Sequence, residues 1–232
     1  MRWLPALLLL GAAPFATAAA VDVCYNYGCL AQAEVNYSDR QLAQLQAFLA
    51  AARDAADERA RLSPVIGWLL GWAGEQSPIS ADRGGNVADQ GVDGRMDCID
   101  HATTTTRLLR LLEGRGWLRF HRVLEPEYRV RYLFQVHYAA LIEEIRPAVQ
   151  ESREGGAPAR YVVDSWFRDN GQPAVVIALP RWLAGDDEAA ADGQEERAGD
   201  AVAKQALNQA MNQAGEGAAS DRAAVLSSPA DR

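Results

Sequence analysis

The chain has 232 residues, 23 basic against 31 acidic side chains, a net charge of −8 and 49% hydrophobic residues. That length supports one domain with a real core, and the acidic balance excludes the basic footprint of a nucleic-acid binder. The acidity is concentrated at the end: ten acids and four bases fall between 184 and 232.

The first segment reads as an export signal peptide, 1–20. Arg2 supplies a positive start, Leu4 to Phe15 is mostly apolar, and Ala16-Thr17-Ala18-Ala19-Ala20 offers small-residue cleavage after Ala18 or Ala20. The apolar run is short and interrupted by proline, and no later stretch has membrane-spanning length, so no transmembrane anchor is expected. The mature chain is expected to be exported, periplasmic or secreted.

Three cysteines follow: Cys24, Cys29 and Cys98. Cys24 and Cys29 bracket Tyr25-Asn26-Tyr27-Gly28, which can turn, so a local disulfide is expected in an oxidising compartment. A metal pair is the alternative, but no further ligands are obvious nearby. Cys98 is left over.

Ser38 and Asp39 cap a helix expected to run to about Arg61, with Leu42, Leu45, Phe48 and Leu49 on one side. Pro64 is expected to break it, and Val65 to Trp72 reads as a short buried helix. Ser77 to Arg95, rich in Gly, Asp, Asn and Ser, reads as a long loop of the kind that carries function. The next helix starts at Cys98, with Asp97 as N-cap, Asp100 in a capping-box position, a stripe of Leu108, Leu109, Leu111 and Leu112, and a stop at Gly114 and Gly116.

Strands are expected at Trp117–Val123, Tyr132–Ile142 (with Leu141 to Ile145 as possible helix), Arg160–Phe167 and Ala174–Leu179. Asp169-Asn170-Gly171 is a hairpin-turn signal, and Pro180 to Leu183 begins a short terminal turn. The domain is therefore placed at 21–183. The stretch 184–232, rich in Ala, Gly and Gln, lacks the apolar surface to fold alone and reads as a disordered tail.

The unpaired thiol needs a use. A helix N-terminus favours a thiolate, whereas Asp97 and Asp100 oppose it, so a histidine is required. Of three histidines, His101 lies one turn on in the same helix and His121 shares a face with Arg119, where it reads as solvated. His137 sits mid-strand, where an imidazole can be held firmly. Asp164 is a charge inside the apolar strand Tyr161-Val162-Val163-Asp164-Ser165-Trp166 and wants a partner. Cys98, His137 and Asp164 then fill the roles of nucleophile, base and orienter. Each taken alone also fits a buried structural residue. Trp68, Trp72, Trp117, Trp166 and Trp182 read as core or groove lining, with Trp166 placed to shelter a His–Asp bond.

The order Asp-Cys-x-Asp at a helix start, a strand His followed by small and apolar residues, and a strand Tyr-Val-x-Asp resembles the bacterial transglutaminase-like cysteine proteinases, of the papain-like and transglutaminase-core superfamily. The resemblance covers roughly 93–166. Asp-Ser-Trp-Phe-Arg-Asp-Asn-Gly-Gln-Pro also resembles a group of uncharacterised exported proteobacterial proteins. The resemblance implies an α+β fold with a papain-like or transglutaminase-like core, N-terminal helices, and an antiparallel sheet packed on the helix that carries the cysteine. It implies acyl transfer on an amide through Cys98, His137 and Asp164, on a peptide or protein substrate in the cell envelope.

The Cys98 N–H is one expected oxyanion donor, and Gln90, Asn86 and Gln76 are candidates for a second, with Gln90 favoured. No cofactor is required. Some exported relatives of this kind bind calcium, and Asp89, Asp93 and Asp97 recur in the loop, but without an EF-hand pattern. Met96 and Ile99 depart from the family pattern around the cysteine, which motivates an alternative: a non-catalytic envelope module that keeps the fold and binds a peptide or partner. A disulfide exchanger is a third, weaker reading, since no Cys-x-x-Cys exists.

Overall fold

A computed structural model of the chain describes residues 18–85, 87–145 and 157–186. Most of the expected leader, Asn86 and the tail beyond Asp186 lie outside the described residues.

The described residues open with a β-hairpin rather than a helix. Strands β1 (Ala19–Tyr25) and β2 (Ala31–Tyr37) pair antiparallel, with Val23 opposite Ala33 and Cys24 opposite Gln32. Val21, Val23 and Tyr25 alternate with polar residues, as do Ala33, Val35 and Tyr37, so one face is apolar. Val23, Val35 and Tyr37 are buried. That alternation was the available signal for a hairpin.

Helix α1 (Asp39–Ala50) starts at the expected cap, where Ser38 and Gln41 form a capping box, and buries the expected stripe. It stops earlier than Arg61. Asp54 accepts from the Asp57 N–H and begins a new helix, α2 (Ala55–Gly74). Pro64 lies inside α2 and does not end it. A proline deprives the carbonyl one turn back, that of Ala60, of its donor, yet tertiary contacts beside it hold the helix in place. The Ser63 hydroxyl donates to the Ala174 carbonyl, and the Ala174 N–H donates to the Ser63 carbonyl. Alongside, a Cβ on Gly67 would come within 2.7 Å of the Gln172 carbonyl oxygen, so the loop rests directly on the helix backbone.

Helix α3 (Cys98–Gly114) runs against β1 and β5. The main sheet has the order β3 (His121–Val123), β5 (Gln135–Glu144), β6 (Arg160–Asp164), β7 (Val175–Ala178), all antiparallel. Strand β4 (Glu127–Arg131) pairs with the other end of β5. β3 and β4 thus share one edge, separated by a break that contains Pro126, which has no N–H to give a ladder.

The expected strand from Tyr132 instead begins at Gln135. Tyr132 and Leu133 take left-handed backbone angles, φ 51° and 69°, and turn the chain between β4 and β5. Trp117 to Phe120, also expected in a strand, precede the short β3. Asp169-Asn170-Gly171 does turn, with the Gln172 N–H donating to the Asp169 carbonyl and Gly171 at φ 84°, but within a longer loop. A short helix α4 (Leu179–Ala184) closes the described chain.

Period-two alternation covers both faces of the sheet. Ala140, Ile142 and Val163 join Leu42, Leu69, Leu108 and Leu109 in the main core. Ala139, Leu141 and Val162 face the other way, onto Leu179 and Trp182. The molecule is α+β with antiparallel sheets, as expected, and the sheet packs on the helix that begins at Cys98.

Candidate functional site

Cys98 is the first residue of α3. Asp97 caps it, accepting from the N–H groups of Ile99 and Asp100, and the Asp100 carboxylate accepts from the Asp97 N–H. No acceptor among the described residues takes the Cys98 N–H. The sulfur is half-buried and lies 3.9 Å from the Val136 carbonyl oxygen, one residue before His137.

His137 and Asp164 come from neighbouring parts of the sheet. His137 Nε2 and Asp164 Oδ2 are 2.7 Å apart, both residues buried. Nδ1 is the ring nitrogen left to face Cys98, which lines the same cleft. Burial alone would strip the proton from this imidazole. The bond to Asp164, the nearby Cys98 sulfur and the charges of both outweigh burial and hold the imidazolium up to about 9. Such a ring carries its proton at neutral pH.

Asp164 is anchored on three sides. Beside His137, the Trp166 N–H donates to Oδ1 at 3.1 Å and the Trp182 indole N–H donates to Oδ2 at 3.3 Å. The rings of Trp166, Phe167 and Trp182 surround the imidazole, with centroids 4.9, 5.4 and 5.7 Å away. These rings exclude water from the His–Asp bond and so strengthen it. The expected sheltering position of Trp166 is therefore where the ring sits. The donor role of Trp182 was not legible, because nothing local ties α4 to β6.

Cys98 and His137 line one cleft of about 230 Å³ with Tyr27, Arg129, Trp166 and Phe167. Arg129 stands opposite His137 in the β4–β5 register, with its guanidinium over the Trp182 ring.

The hairpin tip closes one side. Cys24 and Cys29 are joined as a disulfide, with Cα atoms 4.7 Å apart. Asn26, Tyr27, Gly28 and Cys29 all have φ between 59° and 68°. A run of left-handed residues costs of order 1–2 kcal/mol for each non-glycine, so something must hold it. The N–H groups of Tyr27 and Cys29 point at the Asp100 carboxylate, and that of Gly28 points at Asp97. Burial pushes the Asp100 carboxyl up to about 6, against these N–H bonds that favour its charge. The two acids that seemed to oppose a thiolate at Cys98 are thus turned onto backbone donors.

No family model, curated protein or solved structure matches this chain. What the site can do follows from its own geometry.

Other sequence candidates fall elsewhere. Gln90 is exposed and does not line the cleft. The Gln76 amide is spent on the backbone of Asn36 and Trp72, and Asn86 lies outside the described residues. Asp89 pairs with Arg95 and accepts from the Tyr27 hydroxyl, Asp93 accepts from the Asn26 amide, and Asp97 caps α3, so each serves a different partner. His121 is buried, not solvated. Its Nδ1 lies 2.8 Å from Glu58, whose carboxylate also takes the N–H groups of Arg119 and Phe120. The strand stops short of Arg119, so the shared face assumed for the two does not exist. His101 turns away from Cys98, toward Asp82 and Ser165.

Proposed function

We propose that the chain is an exported cysteine-dependent amide hydrolase or peptidase with a papain-like or transglutaminase-like core. The observation that carries this reading is the buried Asp164–His137 pair facing a half-exposed thiol at a helix start. Cys98 attacks the amide carbonyl as the thiolate, and the C=O electrons move to oxygen. The Cys98 N–H, at the positive end of α3, stabilises that oxyanion. His137 gives its proton to the departing amine, leaving a thioester on Cys98. The neutral ring then takes a proton from water as it attacks the thioester, and acid and free enzyme are released. Replacement of that water by an amine would give transamidation at the same site.

Export fits the disulfide at Cys24–Cys29. Because Ala19 and Ala20 pair with Tyr37 and Asn36 in β1–β2, signal cleavage after Ala18 would keep the strand whole, which supports Ala19 over Val21 as the mature N-terminus.

Intact-mass measurement after brief mixing with peptide amides and activated peptide esters tests the chemistry. A wild-type chain carrying one acyl group, absent in Cys98→Ala, is expected. No adduct and no product across a broad peptide set would overturn it.

One feature favours a second reading, a binding module without turnover. The turn Tyr132-Leu133-Phe134 is apolar and Leu133 is 97% exposed. That reading predicts polypeptide binding undiminished in Cys98→Ala and weakened when Leu133 and Phe134 become Ser.

A further inference from the structure

Beneath the cleft lies a second histidine relay that the proposed chemistry does not use. His101 Nε2 is 3.0 Å from Asp82 Oδ2, His101 Nδ1 is 2.8 Å from Ser165 Oγ, and Ser165 Oγ is 2.9 Å from Thr105 Oγ1. The contact order, Ser–His–Asp, is that of a serine nucleophile with its base. Burial denies it that role. Ser165 and His101 are each 3% exposed and Asp82 is fully buried, so no substrate carbonyl reaches the hydroxyl.

Its partners give it another role. Asp82 Oδ1 accepts from the Met96 N–H, two residues before Cys98. Ser165 directly follows Asp164, and His101 and Thr105 are successive turns of the helix that begins at Cys98. One buried network therefore joins the approach to the thiol, the helix that carries it, and the strand end that carries the orienting carboxylate. The backbone is clamped along the same line. The Gly85 N–H donates to the Trp166 carbonyl at 2.7 Å, and a Cβ on Gly84 would come within 2.5 Å of the Phe167 carbonyl oxygen. A buried polar network with its members satisfied fixes one arrangement, because each alternative leaves a donor or acceptor unpaired at about 1–3 kcal/mol.

We propose that Asp82, His101 and Ser165 are positioning residues that hold Cys98 and Asp164 at the spacing at which His137 bridges them. The proposal rests on the Cys98–His137–Asp164 reading, but its test needs no substrate. Ser165→Ala deletes the hydroxyl that links His101 to the β6 end. Thr105→Val removes the outer hydroxyl at nearly constant volume, and Thr105→Ser keeps it. NMR titration of His137, the rate of Cys98 alkylation and the melting temperature are read on each full-length variant.

In Ser165→Ala the His137 midpoint is expected to fall from about 9 toward the ordinary value, with alkylation at pH 6 slowed at least tenfold. Thr105→Val is expected to move both in the same direction by less, and Thr105→Ser to restore them. Folded variants that melt lower yet keep the wild-type His137 titration and alkylation rate would overturn the proposal. Should Ser165→Ala fail to fold, the Thr105→Val and Thr105→Ser pair decides on the same two readouts. A network that shifts His137 in a protein that turns over no amide would sustain the positioning role and sink only the catalytic one.

Discussion

His137 Nε2 meets Asp164 Oδ2 at 2.7 Å, inside a ring of three aromatic side chains. Because the folded imidazolium is held to about 9 and an unfolded histidine titrates near 6.5, the pair stabilises the fold through its protonated form. That contribution is complete below about pH 6.5 and is lost as pH rises through 9. Urea unfolding from pH 6 to 10 is expected to show stability falling by on the order of 1–3 kcal/mol across that window. His137→Ala is expected to flatten the fall.

Asp164→Asn tests the carboxylate. An amide offers one acceptor oxygen where His137, the Trp166 N–H and the Trp182 indole N–H now share two. One donor must face an NH2 group, at about 1–3 kcal/mol. The His137 midpoint is expected to drop below 7 by NMR, and any amide turnover to fall at least 100-fold.

Trp182→Phe separates the indole N–H from the ring. The cage around His137 keeps an aromatic face, while Asp164 loses one donor. Turnover is expected to fall several-fold, against the larger loss in Asp164→Asn, with melting lowered by only a few degrees. Equal losses in the two variants would place the indole N–H on a par with the imidazole bond.

The disulfide guards the hairpin tip. Closing a loop of six residues is worth about 2 kcal/mol by chain entropy, and the tip also holds four left-handed residues over Asp97 and Asp100. A Cys24→Ala, Cys29→Ala double variant is expected to lose about that much stability. Hydrogen exchange at the Tyr27, Gly28 and Cys29 amides is expected to accelerate more than exchange in β5.

Glu58 is fully buried and feeds His121 and two backbone N–H groups. Glu58→Leu leaves His121 Nδ1 and both N–H groups without that partner, while His121 Nε2 keeps Arg59, and is expected to cost about 3–5 kcal/mol by denaturant unfolding. The loss should leave the His137 titration unchanged in whatever fraction remains folded.

Much of the site was legible because its members break local patterns. A lone thiol at a capped helix start, a histidine in mid-strand and a charge in an apolar strand each demand an explanation, and the fold brings all three to one place. His121 and His101 defeated the same reasoning. Their acids, Glu58 and Asp82, lie 63 and 19 residues away and look solvated in sequence.

The β4–β5 turn was hidden because Tyr132-Leu133-Phe134 carries the composition of a strand. Pro64 misled because the contacts that hold α2 at that point, between Ser63 and Ala174, come from across the fold. Local chemistry marks helix starts and strand faces, whereas burial partners depend on packing that no short window contains.

The most direct test is the pH dependence of Cys98 alkylation by iodoacetamide in the disulfide-intact protein and in His137→Ala. With His137 protonated below about 9, wild-type labelling at pH 6 is expected to stay within a few-fold of its rate at pH 8. In His137→Ala the rate is expected to fall about tenfold per pH unit below 8, as for an ordinary thiol. Wild-type labelling that falls as steeply as the variant's would contradict a working thiolate–imidazolium pair.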